Sequence, residues 1–222
     1  MLFRSILRLS VTLPVIGLLN GCASIDTGAY QSRLISTLPN KREVSFRGSV
    51  QYPGNILCGS YEALDFDGYR NYTSDYIVGP EIVIPRPSET QLAVYCSNDS
   101  AAGLYEQTGV GGDDESWPII KKVSADMLAI EAAINMFYGE FNIMPRNIEQ
   151  FLEGDFAVPA EVLLDPWARP YRYEEGLAGR STPQYKLYTL GADGAAGGSG
   201  SDADISKQQL GLILHVLRVR DI

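Results

Sequence analysis

The stretch that decides the fold is S-W-P-I-I-K-K-V-S-A-D-M-L-A-I-E-A-A-I-N-M-F, Ser116 to Phe137. Ile120, Val123, Met127, Ile130, Ile134 and Phe137 recur at alternating intervals of three and four, which lays one apolar stripe along a helix. Ser116 is placed to cap its start, and Pro118 suits a first turn in which the missing N–H is not needed. Gly139 and Pro145 mark its end. The residues that follow supply the surface on which such a stripe can be buried. A second short helix around Asn147 to Leu152 presents Ile148, Phe151 and Leu152, and beyond Pro159 the runs L-L-D-P-W-A-R-P-Y-R-Y-E-E-G and Y-K-L-Y-T-L-G read as short strands joined by a turn. The expected fold class is α+β, a long helix packed on a small antiparallel sheet. From Lys207 to Ile222 the chain is apolar almost all round; the spacing of Leu210, Ile213, Leu214 and Leu217 favours a helix there, and the lone His215 within it reads as a packing residue.

Upstream of the long helix the character changes. Residues 41–97 hold short runs rich in Val, Ile, Tyr and Phe (V-S-F-R-G-S-V-Q-Y, N-I-L-C-G-S-Y-E-A-L, Y-T-S-D-Y-I-V, E-I-V-I-P, Q-L-A-V-Y-C), punctuated by Pro53-Gly54, Asp67-Gly68 and Gly79-Pro80. This pattern predicts a small β-rich domain preceding the helix-and-sheet domain of residues 116–222. Residues 98–115, with several glycines and Asp113, Asp114 and Glu115, read as a linker, and residues 22–40 as a polar tether. Tyr61, Tyr69, Tyr72 and Tyr76 offer either an aromatic platform for a glycan or ordinary cross-strand packing.

Residues 1–21 contain Arg4 and Arg8 and then an apolar run from Val11 to Leu19, with no acidic residue before Cys22. That run is far shorter than the roughly 20 residues a bilayer-spanning helix requires, so it reads as a cleavable export signal. The tetrapeptide L-N-G-C resembles the lipobox of bacterial lipoproteins. The resemblance implies lipidation of Cys22 and, with Ala23 rather than aspartate behind it, an outer-membrane anchor facing the periplasm. Cys58 and Cys96 then remain as a pair in a compartment that permits disulfides; the expectation is a bond, with two buried thiols as the alternative. The formal charge of −9 becomes more negative once Arg4 and Arg8 leave, which disfavours nucleic acid and anionic lipid as partners. Attachment to the membrane would come from the lipid.

No catalytic residue is assigned. One histidine and no G-x-S-x-G leave little material for a serine nucleophile, and there is no phosphate-binding G-x-x-x-x-G-K-[ST] loop or His/Cys zinc cluster. The informative segment is L-G-A-D-G-A-A-G-G-S-G-S-D-A-D-I, Leu190 to Ile205. Its glycines permit a tight wrap, and Asp193, Asp202 and Asp204 with Ser199, Ser201 and freed carbonyls such as that of Leu190 supply hard oxygens suited to calcium. The residues alone leave calcium and a flexible acidic turn both open. The loop does not follow the EF-hand order, and one imperfect copy of G-G-x-G-x-D cannot build a repeat β-roll.

A-A-I-N-M-F-Y-G-E-F-N-I-M-P-R-N-I-E-Q-F-L-E-G, L-L-D-P-W-A-R-P-Y-R-Y and Y-K-L-Y-T-L-G-A-D-G-A-A-G-G-S-G-S-D-A-D-I together resemble the globular domain of the major, G-type pseudopilin of type II secretion systems. The resemblance spans roughly Ile119 to Ile205. It implies a pseudopilin-like head whose loop binds one calcium ion, with Asp193 and Asp202 as side-chain ligands, Leu190 as a carbonyl ligand, and Ser201 and Asp204 beside them. It departs from the family where the prepilin site and filament helix would stand, at Ala168 in place of the usual glycine, and in the extension from Lys207. The implied function is a non-enzymatic accessory or interaction component of a secretion system, with protein partners in the envelope. Two alternatives stand beside it: a glycan- or peptide-binding module using the β-rich domain, and an envelope hydrolase with an unassigned carboxylate pair.

Overall fold

The computed structural model describes residues 25–178 and 183–221; Cys22 and the export signal lie outside them. The elements run α1 (Thr27–Thr37), β1 (Ser45–Tyr52), β2 (Ile56–Leu64), β3 (Asn71–Val78), β4 (Val83–Ile84), α2 (Glu89–Tyr95), α3 (Ser100–Thr108), α4 (Ser116–Phe141), β5 (Arg172–Ala178), β6 (Pro183–Thr189), β7 (Ile205–Ser206) and α5 (Leu210–Val219). Short 3₁₀ turns lie at Ile148–Leu152 and Ala160–Leu163. Strands β1 to β4 pair antiparallel in chain order, and β5, β6 and β7 form a second antiparallel sheet. The α+β class is the one the residue pattern indicates.

Helix α4 buries the expected stripe: Ile120, Val123, Met127, Ile130 and Ile134 are almost inaccessible, with Trp117 and Ala133 beside them. Each large side chain there contributes roughly 1.5–3 kcal/mol before the entropy of ordering it. Both helix ends differ from expectation. Ser116 does not cap; its N–H donates to Asp113 Oδ1 at 2.8 Å and its hydroxyl to the Asp113 carbonyl, so the acidic residue upstream closes the amino end. At the other end the helix passes through Gly139 and stops at Asn142, which takes a left-handed conformation (φ 53°) and donates to the Tyr138 carbonyl.

Three segments form helices where the sequence reading expects none. The tether contains α1, capped by Asp26, whose Oδ1 accepts from the Ala29 N–H, and pinned by buried Leu34 and Leu38 against Leu57, Tyr61, Tyr76 and Val78 of the first sheet. Q-L-A-V-Y-C is not a strand but α2, started by a reciprocal Ser88–Gln91 capping box. The linker contains α3, capped by Asp99 and ended by Gly109 at φ 75°. Gly103 lets α3 approach α2 closely, since a Cβ there would strike the Ala93 carbonyl. Cys58 and Cys96 are bonded, with Cα atoms 5.9 Å apart, so the bridge ties β2 to the end of α2.

Beyond that bridge, Ile56, Cys58 and Ile77 belong to the same buried cluster as Val94, Leu104, the α4 stripe, and Tyr171, Tyr185, Leu187 and Ile205 of the second sheet region. The carboxy-terminal stretch is helical, and α5 packs against α4 and also against α2 and α3. His215 is 5% exposed, 4.7 Å from Tyr95 between ring centroids, and closed over by the Pro53–Asn55 turn, where a Cβ on Gly54 would meet its ring at 2.9 Å. Among the described residues no helix is long and apolar enough to cross a membrane.

Burial, reinforced by the Arg218 charge, lowers the His215 pKa from 6.5 to about 4. The folded state keeps the imidazole neutral while the unfolded chain takes up a proton, so stability is full above the unfolded pKa and is lost as pH falls from about 6.5 towards 4. Denaturant titrations should show this decline, roughly 1.4 kcal/mol per pH unit near pH 5. His215→Gln should flatten the profile between pH 6.5 and 4.5.

Candidate metal loop and its supporting network

The loop from Leu190 to Asp204 connects β6 to β7 and folds back on itself. Ala192 N–H donates to the Ser201 carbonyl at 2.8 Å, Asp202 to Ser199 at 3.2 Å, and Asp204 to Gly197 at 3.2 Å. Gly191 and Gly198 are held at positive φ against the Asp202 backbone, where a Cβ on either would overlap it. The loop's tight return therefore depends on glycine at those two positions.

Of the five expected ligands, all lie in this one loop. Leu190, Asp202 and Asp204 are half-buried, while Asp193 and Ser201 are exposed. Asp193 Oδ1 accepts from the Ala195 N–H at 2.9 Å, and Asp204 Oδ2 accepts from Gly197 at 2.9 Å. The other Asp204 oxygen, Oδ1, is buried with no hydrogen-bond partner. A lone acceptor of this kind is costly unless something positive meets it. No three acidic, histidine or cysteine side chains among the described residues are grouped closely enough to cage a metal by themselves. A cation here would draw on carbonyl and hydroxyl oxygens as well as carboxylates, an all-oxygen set that fits calcium.

The sequence reading assigns no role to the residues that support the loop. Asp165, 5% exposed, accepts from Trp167 N–H at 3.0 Å, Arg169 N–H at 2.9 Å and the Thr189 hydroxyl at 2.7 Å. Arg169 Nε lies 3.5 Å from Asp165 Oδ2, and the same guanidinium donates to the Gly191 carbonyl at the start of the loop. Asp165 and Arg169 therefore brace both the D-P-W-A-R-P-Y turn and the loop across 22 positions of chain. They border a cleft of about 350 Å³ with Tyr171, Thr189, Leu190 and Gly194. Tyr171 donates to Asp126 Oδ2 at 3.0 Å, and burial followed by the Asp126 charge pushes its phenol well above the usual range, so it stays protonated.

The four tyrosines of the first sheet do not form a platform. Tyr61 and Tyr76 are buried under α1, and Tyr61 donates to the Pro85 carbonyl, its pKa pushed up to about 12 chiefly by burial. Tyr72 lies under the Arg86 guanidinium, 4.8 Å from its ring centroid. Tyr69, the fourth, is exposed (89%) with Phe66 (82%) at the tip of the β2–β3 turn, which Asp65 fixes by accepting from Tyr69 N–H and, through its carbonyl, from Gly68.

Residues 119–208 match the family model described as type II secretion system (T2SS), protein G. Type II secretion system core protein G of Pseudomonas aeruginosa is 52% identical across 36% of this chain and 64% of its own length. The chain thus spans about two thirds, and not the whole, of that relative, and the matched part is a pseudopilin-like domain.

Ala168, in the braced turn, sits at φ 59°, where a Cβ costs roughly 1–2 kcal/mol. Ala168→Gly should raise stability by roughly 0.5–1 kcal/mol in equilibrium denaturation, the relief of strain exceeding the added freedom of the unfolded chain.

Proposed function

We propose that this chain, which carries a pseudopilin-like domain over residues 119–208, is a non-enzymatic lipoprotein anchored through Cys22 and facing the periplasm. It serves as an accessory or interaction component of a type II secretion-like system, with protein partners in the cell envelope. The likeness to core protein G supports the link to secretion. The accessory role is supported by what precedes residue 119: β2, β3, α2 and α3 contribute buried residues to the core that α4 shares, and α1 packs on the first sheet, an arrangement unlike a free helix ready to enter a filament.

The loop's ligand in this reading is calcium, held by the Leu190 carbonyl and by Asp193, Ser201, Asp202 and Asp204. The observation that carries it is the buried, unpartnered Oδ1 of Asp204. Calcium would satisfy that oxygen and draw the rest of its shell from the loop's carbonyl and hydroxyl oxygens. Thermal unfolding with excess calcium and with chelator tests it. Calcium at 100 times its dissociation constant should add about 2.7 kcal/mol to the native state. Asp204→Asn, which can keep the Gly197 hydrogen bond while losing the charge, should abolish most of that gain; an identical midpoint with and without calcium would sink the metal reading.

A second reading draws on the Phe66 and Tyr69 tip, which supports capture of an envelope glycan or peptide by the first sheet. Retention on immobilised peptidoglycan fragments that falls at least tenfold in Phe66→Ala, Tyr69→Ala, with the midpoint of unfolding unchanged, is the expected result if this surface binds. Equal retention by both proteins excludes it.

A further inference from the structure

We infer that the candidate calcium loop is also the latch that holds the amino-terminal unit in place, so that metal occupancy and docking of α3 are coupled; this rests on the calcium reading above. The contact is made through backbone. Gly200 N–H donates to the Gly109 carbonyl at 2.8 Å, and Val110 and Gly200 form a parallel bridge. Gly109 is the left-handed residue that ends α3, and a Cβ on it would come within 2.8 Å of the Gly198 carbonyl oxygen. Val110 is fully buried, as is Ala203 on the loop side. Helix α3 packs on α2 through Gly103, and Cys96 at the end of α2 is bonded to Cys58 in β2. A continuous set of contacts therefore runs from Gly200 to the first sheet.

Gly200 lies immediately before Ser201 and Asp202 and four residues before Asp204. Ordering those ligands orders the backbone that receives Gly109. Coupling between two such events is reciprocal, so docking of α3 must tighten metal binding by the same factor by which metal tightens docking. Gly109 and Val110 lie outside the segment matched to protein G, which makes the latch a property of this chain's own added unit.

Hydrogen–deuterium exchange of the full chain, with calcium and with chelator, tests this, together with calcium affinity of wild type and of Gly109→Ala, which alters no proposed ligand. Calcium is expected to slow exchange both in residues 190–204 and in residues 99–112. Gly109→Ala should still bind calcium, but at least about fivefold more weakly, with protection confined to the loop. Protection of residues 190–204 alone in the wild type overturns the latch and leaves the metal reading intact. No calcium effect on either segment overturns both. Should Gly109→Ala fail to fold, the wild-type exchange pattern decides the question by itself.

Discussion

An all-round apolar helix must be covered on more than one side, and α5 is where that constraint acts. Leu210, Leu212, Ile213, Val216 and Leu217 are buried, and so is His215. Helix α5 meets α4 of the pseudopilin-like domain and also α2, α3 and the turn before β2. The two halves are therefore held by a shared wall, in addition to the loop contact at Gly109. Peripheral ion pairs, Arg218 with Glu81 at 2.8 Å and Arg220 with Asp114 at 2.6 Å, orient the helix but contribute little at such exposure.

This arrangement explains which parts of the fold were legible in the residues. A long stripe such as that of α4 sums many weak preferences, and the strand runs of β2, β3, β5 and β6 alternate clearly enough to be read. Helices α1, α2 and α3 are short, and each is pinned by one or two buried side chains, Leu34 with Leu38, Val94 with Tyr95, and Leu104. Periodicity is blind to elements of that length. The signal that would have found them is their caps: Asp26, the Ser88-x-x-Gln91 box and Asp99 each mark a start. The polar tether and the glycine-rich linker were read from composition, and composition yields when a cap and a buried anchor coincide.

The candidate site divides in the same way. Its oxygen-rich, glycine-bearing loop is contiguous, so the candidate oxygens could be named from the sequence. The bracing is not contiguous: Asp165 and Thr189 meet across 24 positions. A buried carboxylate with this many donors has its oxygens satisfied without a metal, and it places the Arg169 guanidinium at the root of the loop. Asp204 differs from Asp165 in that one of its oxygens has no such donor. That contrast between a satisfied carboxylate beneath the loop's root and an unsatisfied one within the loop is what gives the calcium reading its physical content.

The central claim, that one shared core around α5 joins a pseudopilin-like domain to an added β-rich unit, is tested most directly by scanning calorimetry. The account predicts a single transition for the protein in excess calcium, with calorimetric and van't Hoff enthalpies equal. Two resolved transitions, or a van't Hoff enthalpy well below the calorimetric enthalpy, would contradict it, since the halves would then unfold independently.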